Sequence, residues 1–181
     1  MASRSPEPQS SFTLISDYVN LKIMTLAEAI ASIAESQIGV RETKKNGGVQ
    51  ISEYQKATWL PVGPWAWCAA FVCWVVQKAI QSRAVTFKRP MTAGAWDFEN
   101  WCKSVDRSVM LKKPHKGDIK RGDVICFTFS HIGVALGSPD ADGNVSTCEG
   151  NTNGMGSREG DGVYKKVRHG DKIRSRIRFS G

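Results

Sequence analysis

The stretch Trp65-Ala66-Trp67-Cys68-Ala69-Ala70-Phe71-Val72 constrains this chain more than any other. A Pro/Gly/Trp-rich loop, Leu60 to Trp67, gives way at Cys68 to an apolar run that reaches Ile80 without a glycine or proline. A run of that length is too long for an ordinary strand and predicts a buried helix. Cys68 then occupies the first turn, where unpaired backbone N–H groups and the positive end of the helix dipole favour a thiolate. Cysteine is also among the residue types most often buried as plain packing. Position alone therefore leaves two readings open, a core thiol and a nucleophile at the mouth of a tryptophan-lined loop.

The bulk of the sequence narrows the setting. A chain of 181 residues suits one domain with a real core. Hydrophobic content of 41% with 23% charged residues belongs to a globular protein and excludes a disordered one. No apolar run approaches the roughly 18 residues of a membrane span. Met1 to Gln9 is polar, and Asp17, Asn20 and Lys22 interrupt Phe12 to Met24, so no cleavable leader is expected. Synthesis in the cytoplasm follows, and any work outside it requires another route of release.

The formal net charge of +8 points to an anionic partner such as nucleic acid, a membrane surface or an acidic wall polymer. Lys165, Lys166, Arg168, Lys172, Arg174, Arg176 and Arg178 crowd the carboxyl-terminal end. Ile173, Ile177 and Phe179 alternate with the basic residues there, which predicts a half-buried strand with its cations on the wet face. Such a face is either a solubilising surface or a holder of anionic polymer. Five cysteines cannot all pair, no C-x-x-C occurs, and the three histidines lack metal-ligand spacing with them. Cys73, Cys102, Cys126 and Cys148, each flanked by apolar or aromatic residues, are expected as reduced core thiols. No cofactor is expected.

Residues 1–24 form an amino-terminal extension, and residues 25–181 the domain. Thr25 is a helix N-cap with Glu28 as capping-box partner, and Leu26, Ala29, Ile30, Ile33, Ala34 and Ile38 recur at helical spacing until Gly39. A short helix is expected around Ile51 to Thr58, the central helix from Cys68, and another short helix within Ala93 to Cys102. After a basic turn, Lys112 to Arg121, strands are expected at Asp123–Phe129, Ile132–Leu136, Asn144–Glu149, Val163–Val167 and Ile173–Phe179, with glycine-rich Gly154 to Gly162 as a loop. Helices first and strands later make an α+β fold, with the early helices packed on a mostly antiparallel sheet.

A cysteine nucleophile needs a base, and the base needs an orienting partner. His131 is the candidate base because it sits at the junction of two strands, while His115 and His169 fall in charged turns. Glu149 and Asn151, two residues apart at a strand end, are expected on one face of the sheet, where either can accept the imidazole N–H. Gly150 between them is expected to admit substrate backbone.

The order of cysteine, histidine and Glu/Asn along the chain is that of papain-like enzymes. The stretches SQIGVRE, WAWCAAFVCW, GDVI…SHIGVALG and EGNTNGMGSREGDGVYKKVR resemble a CHAP domain of the NlpC/P60 superfamily, over roughly Ile30 to Arg168. The resemblance implies a papain-like fold and a phage-type peptidoglycan hydrolase that cuts amide bonds as an amidase or endopeptidase. It implies Cys68 as nucleophile, His131 as general base, and Glu149 with Asn151 in support. Some CHAP domains carry a calcium-binding acidic loop, but the matching region, Lys44 to Thr58, has no D-x-D pattern, so no metal is expected. Trp65, Trp67 and Trp96 are the candidate walls of the substrate groove. The expected partners are bacterial peptidoglycan and, through the basic strand, anionic wall polymers, without nucleic acid. An interbacterial toxin with the same chemistry and a catalytically silent basic binding module are the alternatives.

Overall fold

The structure, a computed structural model, describes residues 24–106 and 108–180. The amino-terminal extension, apart from Met24, lies outside the described residues. The described residues form four α-helices and six strands: α1 (Leu26–Ser36), α2 (Val49–Gln55), α3 (Cys68–Arg83), α4 (Asp97–Cys102), β1 (Ser108–Lys112), β2 (Val124–Phe127), β3 (Ile132–Ala135), β4 (Asn144–Thr152), β5 (Gly162–His169) and β6 (Ile173–Phe179). The strands form one sheet in the order β1-β6-β2-β3-β4-β5, and every neighbouring pair is antiparallel. The protein is α+β, with helices first in the chain and strands after them.

Local chemistry starts and stops the helices where the sequence predicts, to within a turn. Thr25 Oγ1 accepts the Glu28 N–H at 3.2 Å and caps α1. The Glu28 carboxylate turns away to Arg121 Nε instead, at 3.1 Å. The stripe Leu26, Ala29, Ile30 and Ala34 is buried. The central helix α3 runs one turn past Ile80 and stops at Ala84, which takes the left-handed conformation at φ 52° and lets the Val85 N–H return to the Ile80 carbonyl.

Burial explains why α3 is apolar on nearly every side. It packs against α1 and α2 and lies across β3 and β4, and Cys68 through Cys73, Val75, Val76 and Ala79 are all buried. Burying one side chain such as Phe71 stabilises the fold by roughly 1.5–3 kcal/mol relative to leaving it in water. The main core lies between these helices and one face of the sheet. The opposite face carries a smaller cluster of Ile119, Ile125, Phe127, Ala135, Val145 and Ile173. Strand β1 was not expected; it pairs with β6 from Ser108↔Phe179 to Lys112↔Ser175, so that β6 is an interior strand.

That placement overturns the wet basic face expected of β6. Arg176 is buried and Arg174 and Arg178 are half-buried. Arg174 Nε reaches Glu99 at 2.9 Å. Arg178 forks onto Asp123 at 2.8 and 2.7 Å. Arg176 donates to the carbonyls of Asp118 and Val109. An interior strand has no free face for long cations unless acids and carbonyls meet them, and β6 uses its arginines internally. No helix among the described residues is long and apolar enough to cross a membrane.

Candidate active site

Cys68 is the first residue of α3, and Trp67 before it provides no side-chain cap. The leading N–H groups of the helix are thus left for a ligand, with the dipole's positive end behind them. Cys68 is 7% exposed and opens into a cleft of about 140 Å³. Ala66, Ala93, Gly94, Ala95 and Ser130 line that cleft, together with Arg158 and Glu159 from the glycine-rich loop. Its walls near the sulfur are small, and its charged groups sit on the loop.

His131 immediately precedes β3, and its carbonyl accepts the Phe127 N–H at 3.1 Å, which pins its backbone to the end of β2. The ring is fully buried and stacks on Phe127 and Phe129, each 5.9 Å away between centroids. Nε2 lies 3.2 Å from Glu149 Oε2, and the Cys68 thiol bears on the same ring. Neither ring nitrogen forms a well-directed hydrogen bond. Catalytic hydrogen bonds are often loose before substrate arrives and tighten in the complex. Burial pushes the imidazole toward its neutral form, but Cys68 and Glu149 overcome it and raise the group to about 9. At neutral pH the ring is an imidazolium.

Glu149 is equally buried and is held from three directions. Arg168 Nε donates to Oε1 at 2.9 Å and Nη2 to Oε2 at 2.6 Å, while Thr147 Oγ1 donates to Oε1 at 2.6 Å. Burial pushes its carboxyl up, but Arg168 and then His131 bring it down to about 2. Glu149 is therefore the ionised carboxylate that faces the base.

The strand is irregular at Asn151. A bulge interrupts the β4–β5 register between Glu149 and Thr152, and Asn151 takes φ 57°. The two-residue alternation that put Glu149 and Asn151 on one face is broken there. Asn151 is fully buried, its carbonyl accepts the Gly160 N–H at 3.1 Å, and its side-chain oxygen and nitrogen take no hydrogen bond. Gly150 also has a different job from the one expected. A Cβ there would stand 2.8 Å from Phe71 and Trp67, so its missing side chain admits the protein's own core rather than a ligand.

The tryptophans divide. Trp67 is fully buried, with its indole N–H donated to Glu42 at 2.6 Å, and walls no groove. Trp65 is half-buried against the main core and donates to the Pro61 carbonyl at 2.8 Å. Trp96 is 38% exposed beside cleft-lining Ala95, with the Arg174 guanidinium 4.7 Å over its ring. The other four cysteines are buried free thiols; burial pushes Cys126 up to about 12 and raises Cys73, Cys102 and Cys148 as well. His115 and His169 are exposed. Among the described residues, no three His, Cys, Asp or Glu side chains gather so as to hold a metal ion.

Arg168 and Thr147 are the site residues that sequence reasoning missed. Arg168 stood among the basic residues of a surface strand, yet its side chain is only 14% exposed. It lies 5.5 and 5.3 Å over the Phe127 and Phe129 rings that carry His131.

Fold and site together define an α+β protein with a helix-start thiol, a buried imidazolium and an arginine-held carboxylate at one cleft. Comparison with protein families, with curated proteins and with solved structures returns no match.

Proposed function

We propose that this protein is a cysteine amidase or endopeptidase acting on peptidoglycan amide bonds, on a papain-like fold of the CHAP, NlpC/P60 type. The observation that carries the reading is the buried His131 set between the Cys68 thiol and the Glu149 carboxylate at an open cleft. A structural thiol needs neither an ionised partner nor an uncapped helix start. The cell-wall substrate rests on the resemblance of the motifs around these residues, and the protein's high positive charge suits an anionic wall.

The chemistry follows from the arrangement. The Cys68 thiolate attacks the scissile carbonyl carbon, and the oxyanion is met by the free N–H groups at the start of α3. His131 delivers its proton to the leaving nitrogen as the C–N bond breaks, leaving an acyl thioester and a neutral imidazole. The imidazole then takes a proton from water, whose oxygen attacks the thioester, and the acid leaves with Cys68 regenerated. Glu149 keeps the ring oriented and stabilises its charge without itself taking a proton. The small walls around the sulfur favour a scissile bond next to a small residue.

The test is digestion of purified peptidoglycan by the wild type and by Cys68→Ala, with mass spectrometry of the released fragments. Hydrolysis by the wild type alone supports the reading, and the new termini name the bond. Equal release by both removes Cys68 from the chemistry, and no release by either removes the substrate. A silent module that holds anionic polymer through β6 draws little support from a strand whose arginines are engaged internally.

A further inference from the structure

We infer that Arg168 is the positioning residue of this site, holding Glu149 in place before His131 and tying the same carboxylate to the loop that walls the cleft. The inference rests on the catalytic reading of Cys68, His131 and Glu149 and goes beyond it.

The guanidinium uses its fork fully. Nε and Nη2 take the two carboxylate oxygens at 2.9 and 2.6 Å, a planar two-point contact that fixes the carboxylate's orientation as well as its charge. Nη2 also donates to the Gly156 carbonyl at 3.1 Å. Gly156 lies two residues before Arg158, which lines the cleft that Cys68 opens into. Lys166, two residues away on β5, holds the same loop through the carbonyls of Asn153 and Gly154 at 3.3 and 2.7 Å. The guanidinium carbon also covers the stacked Phe127 and Phe129 rings, so one side chain touches the carboxylate, the aromatic bed of His131 and the loop.

Glu149 is fully buried, and a carboxylate out of water is held ionised only by partners. The groups that face it are Arg168 from β5, Thr147 on its own strand, and His131 ahead of β3, with Cys68 reaching it through that ring and Cys148 adjacent in the chain. His131 alone cannot satisfy both oxygens, because only Nε2 of the ring is set against the carboxylate, at Oε2. Without Arg168, desolvation drives Glu149 toward its protonated form. The imidazolium then loses its counter-charge, and the Cys68 thiolate loses its partner in turn. Arg168 thus acts on the nucleophile across two intervening side chains without touching substrate.

The experiment compares Arg168→Met and Arg168→Lys with the wild type in the full chain, each alone and combined with Glu149→Gln. Two quantities are followed across pH: the rate of Cys68 alkylation by iodoacetamide, and kcat and KM on peptidoglycan fragments. Arg168→Met is expected to slow alkylation at neutral pH by about 10- to 100-fold, the size typical of losing an outer partner that orients a functional side chain. Its acid limb should move to higher pH, and kcat should fall more than KM rises. Arg168→Lys keeps the charge without the fork and should fall between the two. In the Glu149→Gln background, where no carboxylate is left to hold, Arg168→Met should add nothing further. Alkylation profiles unchanged in both arginine variants overturn the inference, as do losses that simply multiply with that of Glu149→Gln. If Arg168→Met does not fold, Arg168→Lys and the double variant still decide. Alkylation needs no substrate, so a failure of the peptidoglycan assignment shows only in the turnover arm.

Discussion

Nε2 of His131 stands 3.2 Å from Oε2 of Glu149 with both side chains fully buried, and Cys68 bears on the same ring. Burial opposes the charge of both His131 and Glu149, yet each is held ionised by its partners, and the Arg168 guanidinium closes the set.

The imidazole carries the first prediction. Burial works against its charge, and Cys68 and Glu149 together raise it from 6.5 to about 9. A group raised on folding contributes stability that is fully present below its unfolded value and lost as pH rises through its folded one. The His131 share of stability should therefore be full below about pH 6.5, shrink above it and be gone above about pH 9, and activity that needs the protonated ring should decline as pH rises through about 9. Glu149 has the opposite sign: lowered from 4.5 to about 2, it contributes above the former value and loses that contribution as pH falls toward the latter. In Cys68→Ala the raising partner is gone, and NMR titration of the ring should find His131 well below its wild-type value. An unshifted titration contradicts the pairing.

Thiol chemistry separates the five cysteines. The thiols of Cys73, Cys102, Cys126 and Cys148 are all pushed up by burial. Cys68 instead lines a cleft and bears on the raised imidazole of His131. Brief treatment with iodoacetamide at pH 7 should label Cys68 at least about tenfold faster than any other, because the thiolate is the reactive form. Peptide mapping by mass spectrometry reads this directly. Comparable labelling of Cys102 or Cys126 contradicts the assigned environment.

The residue types of this site were legible in the sequence because chemistry limits the choice. A cysteine where a loop becomes an apolar helix, a histidine between strands and an acid at a strand end are visible without coordinates. Five of the six strands follow from composition and turn chemistry. Strand β1 does not, since Ser-Val-Met-Leu-Lys is a short edge strand that runs into basic residues. Arg168 was invisible for a different reason. Its pairing with Glu149 depends on register across a long glycine-rich loop and a bulge, which no residue count along one strand supplies. Trp67 misled because its indole N–H finds Glu42, far earlier in the chain. The arginines of β6 look solvated in any pattern that lacks Glu99 and Asp123.

Gly150 tests whether the bulge beside Glu149 is set by the core. An alanine Cβ there would meet Phe71 and Trp67 at 2.8 Å, too close for any contact to stand. Both neighbours are fully buried and have nowhere to go. Gly150→Ala should destabilise the protein by about 1–3 kcal/mol, the usual range for overpacking, measured by urea denaturation. Unchanged stability with lost substrate affinity would instead return Gly150 to the role of admitting substrate.

Arg178 decides what the basic carboxyl-terminal strand is for. Its fork holds Asp123, which is fully buried and also caps the turn by accepting the Lys120 N–H at 2.9 Å. Arg178→Met leaves that carboxylate without its cation and should cost about 3 kcal/mol, near the low end for breaking a buried pair because the arginine is partly exposed. Lys165→Met removes the same unit of charge from an exposed position on β5 and should leave the unfolding midpoint within about 0.5 kcal/mol of wild type. Retention on an anionic polymer at fixed ionic strength should then fall no further for Arg178→Met than for Lys165→Met, because Arg178 is already neutralised within the fold. Weaker retention confined to Arg178→Met, with stability intact, would make β6 a polymer-binding strand after all.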